Sequence, residues 1–208
     1  MIGQFLILWT SKALPETWKH QSRPIANTII QQSQKYGFDP VFLMSVIENE
    51  SSFNPEALGS AGEIGLMQIT PETGAWITEL FEIPWKGKKT LKNPVSNIII
   101  GSAYLAYLRE EFDYRGQLYL AAYNMGSGNV RKHLNRNTQP QVYPSRVMQR
   151  YLRFYSELQN SLKSKPSGTW ASVGKKPETY SSALQSRQQS WASKPKKHLT
   201  HSNQLRPL

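Results

Sequence analysis

Asp39-Pro-Val-Phe-Leu-Met-Ser-Val-Ile-Glu-Asn-Glu50 runs into Ser51-Ser-Phe-Asn-Pro55 and then into the glycine-punctuated stretch Ser60-Ala-Gly-Glu-Ile-Gly-Leu-Met-Gln-Ile69. The first segment reads as a helix. Asp39 is placed to cap the first free N–H groups, and Pro40 suits the first helical position, where a missing N–H costs nothing. Val41, Phe42, Leu43, Met44, Val46 and Ile47 leave almost no polar face, so the helix is predicted to be core. Leu43, Val46, Ile47 and Glu50 stand at i, i+3, i+4 and i+7. Glu50 thus prolongs an apolar stripe at the point where the helix stops. Desolvation there disfavours the ionised carboxyl and keeps a proton available, which is what a general acid needs. A glutamate at a helix end is more often a solvated side chain. Because this helix is apolar nearly all round, periodicity does not separate Glu50 from Glu48.

The rest of the chain supplies more helices and little else. Residues 24–36 form one, with Ile25, Ile29 and Ile30 along one side and Gly37 as the stop. Thr70-Pro71 and Asn93-Pro94 each repeat the cap-plus-proline start. The first opens a helix to about Leu80. The second opens one to Phe112, with Val95, Ile98, Ile99, Leu105, Leu108 and Phe112 inward. Residues 84–92 read as a basic loop with Gly87 and four lysines. Residues 118–124 are helical, Gly126-Ser-Gly128 interrupts, and a short turn or helix covers 130–134. Pro140 and Pro144 bracket a last start, with a helix over 147–162. No sustained period-two alternation appears, so any sheet is minor and the class is all-α.

The 208 residues suffice for one domain with a core plus an appendage. The net charge is +11, but residues 163–208 hold nine Lys/Arg against Glu178, while residues 1–162 hold sixteen basic and thirteen acidic residues. The body is near neutral and the tail is the basic element. That tail is rich in Ser, Gln, Lys and Pro, reads as disordered, and offers Trp170 and Trp191 as anchors if it docks. There are no cysteines, so disulfides and thiolate-held metals are excluded. His20, His133, His198 and His201 form no ligand spacing, and neither metal nor cofactor is expected. Residues 1–20 begin with the short apolar run Ile2-Gly-Gln-Phe-Leu-Ile-Leu-Trp9, too short to span a bilayer. Ser11-Lys12-Ala13 offers small residues at the spacing of a signal-peptidase site, without a basic leader before the run. The segment reads as an atypical export signal, or else as the start of the domain at 21–162.

Glu50-Ser51-Ser52-Phe53-Asn54-Pro55, then Ser60, Gly62 and Gly65-Leu66-Met67-Gln68, then Ala122-Tyr123-Asn124-Met125-Gly126, resemble in order and spacing the lysozyme-like soluble lytic transglycosylase domain. Goose-type lysozyme is a relative of that family. The resemblance covers roughly residues 24–160 and implies a lysozyme-like helical bundle that cuts peptidoglycan glycan strands. It implies Glu50 as the single catalytic carboxylate. Glu50 would protonate the MurNAc–GlcNAc bond and then take a proton from the muramic C6 hydroxyl, which closes a 1,6-anhydro ring. It implies substrate-binding roles for Ser51, Ser60, Gly65, Met67, Gln68, Tyr123 and Asn124, and a hydroxyl from Tyr143 aimed at Glu50. Bland roles stand beside these: core packing for Met67, turn formation for the serines, a helix stop for Asn124-x-Gly126. Pro144 stands where the family usually has an aliphatic residue, and Gln139 where it usually has a glutamate. Glu63 occupies a position that is usually small, as a loop charge or as a second carboxylate favouring hydrolysis.

The resemblance implies a monomer in the periplasm or cell envelope, acting on peptidoglycan. Enzymes of this size serve secretion, conjugation or pilus machinery, which the tail would contact. The rivals are a lysozyme-type hydrolase on the same fold and a non-catalytic glycan-binding scaffold. A body at +3 with no basic stripe on any helix argues against nucleic acid.

Overall fold

The computed structural model describes residues 2–163. The expectations for the basic tail, Trp170 and Trp191 lie outside the described residues. Helix follows helix in the order α1 (Ile2–Ala13), a 3-10 turn (Glu16–Gln21), α2 (Ser22–Tyr36), α3 (Pro40–Ser51), α4 (Pro71–Leu80), α5 (Lys88–Lys92), α6 (Pro94–Glu111), α7 (Gly116–Met125), α8 (Ser127–Asn135) and α9 (Val142–Lys163). Among the described residues there is no strand, only isolated bridges such as Leu58 to Ile64 and Ile64 to Ile69.

The core is built around α3 and α6. Asp39 Oδ1 accepts from the Val41 N–H at 2.7 Å, and every residue from Pro40 to Ile47 is buried. α3 packs along α9, and α6 packs on α2, α4, α5 and α7. α3 is ended by Ser52 and Phe53, both left-handed with φ of 50° and 60°. That conformation costs about 1–2 kcal/mol for each residue other than glycine. The turn drops the Phe53 ring, fully buried, against Trp9 at 5.1 Å. Its burial, worth about 2–3 kcal/mol, offsets the strain and fixes where Glu50 falls.

Three elements differ from the sequence reading. Lys88–Lys92 is a short helix and not part of a loop: Gly87 turns at φ 70°, Thr90 Oγ1 accepts from the Lys86 N–H at 2.8 Å, and Leu91 is fully buried. In α6, Val95 and Ile99 are only half-buried, while Asn97, Gly101, Ser102 and Tyr104 are enclosed. A one-face template fails for a helix with neighbours on several sides. α9 starts at Val142, five residues early, with Pro144 in its first turn, where no intrahelical N–H bond is lost. Tyr143 is therefore carried on a helix.

The apolar N-terminal run is α1, packed on α2. Leu6 is fully buried, and Trp9 packs on Phe154 at 4.5 Å while its Nε1–H donates to Glu157 at 2.9 Å. No helix among the described residues is long and apolar enough to cross a membrane.

Candidate active site

Glu50 lies in the last turn of α3 and is half-buried. From the neighbouring helix the Tyr143 hydroxyl donates to Glu50 Oε1. Burial, reinforced by the charge of Glu50 and by Tyr123, holds the Tyr143 hydroxyl well above its usual range, against a lowering hydrogen bond with Asn49. Tyr143 is thus a neutral donor wherever the protein is folded near neutral pH.

Glu48 and Glu63 are committed elsewhere. Glu48 pairs with Arg153 and with Arg150 at 3.5 Å, tying α3 to α9. Glu63 accepts from the Ala61 N–H at 2.9 Å within its own loop. Periodicity left Glu48 and Glu50 level; the packing of α9 separates them.

Residues 64–68 are clamped beside Glu50 by three helices. Ser51 Oγ, on α3, donates to the Leu66 carbonyl at 2.9 Å. Tyr123, on α7, donates to the Met67 carbonyl at 2.8 Å. Asn97, on α6 and fully buried, accepts from the Met67 N–H at 2.7 Å and donates to the Ile64 and Leu91 carbonyls at 2.8 and 3.0 Å. Gly65 has φ +78°, and a Cβ there would stand 2.7 Å from Asn97 Nδ2 and 2.9 Å from the Leu91 carbonyl oxygen. Asn97 was not singled out by the sequence reading. The available signal was a lone amide in the apolar run Ile98-Ile-Ile100, with Gly101 four residues on.

The expected site residues are placed as follows. Glu50, Ser51 and Tyr143 come together at the α3–α9 junction. Met67 corrects the groove-wall expectation: its side chain is fully buried, and a Cβ on Gly101 would meet its sulfur at 2.5 Å. It packs the core and gives the clamp its backbone. Tyr123, 3% exposed, holds Met67 and packs on Tyr104 at 5.2 Å, so its hydroxyl is spent inside. At Gly65 the close neighbours are Asn97 and Leu91. Gln68 is half-buried at φ 47°, and its Nε2 donates to the Ala57 and Gly65 carbonyls at 3.1 and 2.9 Å. Ser60 and Asn124 are exposed, on the loop and at the end of α7. Among the described residues no group of three or more His, Cys, Asp or Glu could hold a metal.

Buried phenols give the fold an alkaline limit. Burial pushes Tyr36 from 10.0 up to about 12, and Tyr143 is raised in the same direction. The folded state holds these protons more tightly, so above pH ~10 the unfolded chain ionises first and stability falls with pH. Melting temperature is expected to stay level up to about pH 10 and to drop as pH approaches about 12. Thermal melts across that range check it.

The family described as the transglycosylase SLT domain matches residues 27–144. The chain is 38% identical over 94 residues to the soluble lytic murein transglycosylase of Salmonella typhimurium, covering 45% of this chain and 15% of that protein. It is 35% identical over 132 residues to the membrane-bound lytic murein transglycosylase C of Histophilus somni, covering 54% of this chain and 35% of that one. The chain therefore spans well under half the length of these relatives. Among solved structures, it resembles an inactive glutamate-to-glutamine mutant of the lytic transglycosylase Slt from Pseudomonas aeruginosa, with a TM-score of 0.59 and 25% identity over 74% of this chain and 28% of that one. The 70 kDa soluble lytic transglycosylase of Escherichia coli gives 0.58 and 25% over 76% of this chain and 30% of that one.

Proposed function

The chain belongs to the transglycosylase SLT domain family, and on that premise we propose that it cuts murein glycan strands with Glu50 as its one acid and base. The observation that carries this reading is the Tyr143 hydroxyl on Glu50 Oε1, at the end of a buried helix, with the other two candidate carboxylates engaged elsewhere. Glu50 gives its proton to the glycosidic oxygen between MurNAc and GlcNAc. The C1–O bond breaks and positive charge grows at C1. The C6 hydroxyl of the same muramic residue attacks C1, and its proton passes to Glu50. The product is a 1,6-anhydro-MurNAc end, no water is consumed, and Glu50 is protonated again. The proton given up in the first step is matched by the one returned in the second. One group can then serve both steps. Ser51, Gly65, Met67, Gln68 and Tyr123 shape the loop beside the carboxyl, and the exposed Ser60 and Asn124 are the side chains offered to sugar.

Murein lies outside the cytoplasmic membrane, so we place this activity in the envelope. Local opening of the wall around a secretion, conjugation or pilus machine, reached through the basic tail, is the role we propose for it. The test is clearing of a purified murein suspension by the full chain. Falling turbidity with release of soluble fragments is expected; unchanged turbidity with the protein bound would make it a glycan-binding scaffold. Tyr143→Phe removes the donor to Glu50 while keeping the ring. Its release rate is expected to fall about tenfold to a hundredfold, the worth of one hydrogen bond to a charged group. A rate within twofold of the parent would show that Tyr143 does not position the acid.

A further inference from the structure

We infer that the cavity between the Glu16–Gln21 turn and the start of α6 is a second binding site, one that takes carboxylate-bearing muramyl peptides. It measures about 360 Å³ and is lined by Trp18, Gln21, Lys89, Lys92, Asn93 and Pro94. It shares no residue with Glu50, Tyr143 or the clamp, and no acid lines it. The inference rests on murein being the substrate polymer, and it adds a place where that polymer is held away from the point of cleavage.

The charge around the cavity is uncompensated. Lys86, Lys88, Lys89 and Lys92 fall within seven residues. None of them takes part in an ion pair among the described residues; nearby, Glu16 is already paired with Lys19. Four ammonium groups on one short helix and its approach repel one another, and that cost is relieved by an anion. The whole of residues 1–162 carries only +3, so this is a local concentration and not a general coating.

The other lining groups select what the anion is attached to. Trp18 is half-buried, packed against the core and stacked with His20 at 6.2 Å, so its indole is held in place at the cavity wall. A fixed aromatic face suits the apolar side of a pyranose ring. Asn93 Oδ1 already accepts from the Ser96 N–H at 2.9 Å, which leaves its NH2 to donate. Gln21 adds a second amide, and both match hydroxyl and acetamido groups. Lysines as compact point charges suit the carboxylates of a lactyl-peptide branch. A volume near the lower end of ligand pockets, about 300–1,000 Å³, fits one sugar with a short branch. A nucleic acid strand would need a row of stacking rings; here a single Trp lines the cavity.

The test uses the full chain carrying Glu50→Gln, so that nothing is cut, titrated by NMR with N-acetylmuramyl dipeptide and separately with a neutral N-acetylglucosamine oligomer. Dipeptide shifts are expected at Trp18, Gln21, Lys89 and Lys92. The Lys89→Gln/Lys92→Gln pair, both exposed positions, is expected to weaken dipeptide binding about fivefold or more, the worth of two exposed ion pairs. Trp18→Ala should weaken it as well, and the lysine changes should leave the neutral oligomer untouched. Equal dipeptide affinity in parent and lysine variant, or shifts confined to Tyr143 and its neighbours, would overturn the inference. So would a single-stranded oligonucleotide that binds these same residues more tightly than the dipeptide. Murein cleavage without lysine-dependent binding sinks this site alone; lysine-dependent binding without cleavage sinks the enzymatic reading alone.

Discussion

Glu50→Gln is expected to lower the rate of murein fragment release by about a hundredfold to ten-thousandfold, the usual span for loss of a positioned acid–base group. The amide matches the carboxyl in size. Its oxygen can still accept from Tyr143, and its NH2 takes the place of Oε2. What is lost is the transferable proton, since an amide at that position neither gives one to the glycosidic oxygen nor takes one from C6. Glu50 is only half-buried, so no cavity opens and no buried charge is stranded. The melting temperature is therefore expected to move little. Glu48→Gln separates the two acids. It breaks the pairing with Arg150 and Arg153 across the α3–α9 junction and should lower stability by about 1–3 kcal/mol, with activity falling only as far as that packing loosens. Fragment release surviving in Glu50→Gln and lost in Glu63→Gln would move the acid to the loop.

The second large effect is expected from a residue that touches no substrate. Asn97→Ala leaves the Met67 N–H and the Leu91 carbonyl without their side-chain partner at a fully buried position, while the Ile64 carbonyl keeps the Ile69 N–H at 3.2 Å. Each stranded buried group costs about 1–3 kcal/mol, so a loss of about 2–6 kcal/mol is expected from the two. A domain has roughly 5–15 kcal/mol to lose. The denaturant midpoint should fall steeply, and fragment release should fall further than the folded fraction, because the stretch from Ile64 to Gln68 loses its tie to α6. Asn97→Asp tests the reasoning from the other side. It keeps the acceptor for Met67 but sets a carboxylate against the Ile64 and Leu91 carbonyls, so it should be nearly as damaging. A midpoint unchanged in Asn97→Ala would mean that Ser51 and Tyr123 hold the loop unaided.

How much of this was legible followed from the range of the forces involved. α3 could be read from twelve residues because its cap, its proline and its apolar run are all local. The starts of α4 and α6 were legible for the same reason: Thr70 accepts from Thr73, and Asn93 from Ser96. The inward face of α6 was not, since which sides are covered depends on α2, α4, α5 and α7, and no period within eighteen residues encodes that. α5 was hidden by its lysines; one buried Leu91 holds it, and a single apolar residue gives no periodicity. At the site, spacing left Glu50 level with Glu48 and only the resemblance singled it out; its meeting with Tyr143, ninety-three positions away, likewise came only from the resemblance. Asn97 was missed because all its partners are backbone groups, two of them thirty or more positions away, and backbone carries no sequence signal. Met67 misled in the opposite way. A flexible thioether suits a groove wall or a core equally well, and Gly101 opening a space for its sulfur decided the matter.

Digestion of purified murein in water enriched in heavy oxygen tests most directly whether one carboxyl both gives the proton and takes it back from the sugar's own hydroxyl. Mass analysis of the released muropeptides should show 1,6-anhydro-MurNAc ends free of the label. Reducing ends carrying heavy oxygen at C1 would mean that water, activated by some other base, is the nucleophile.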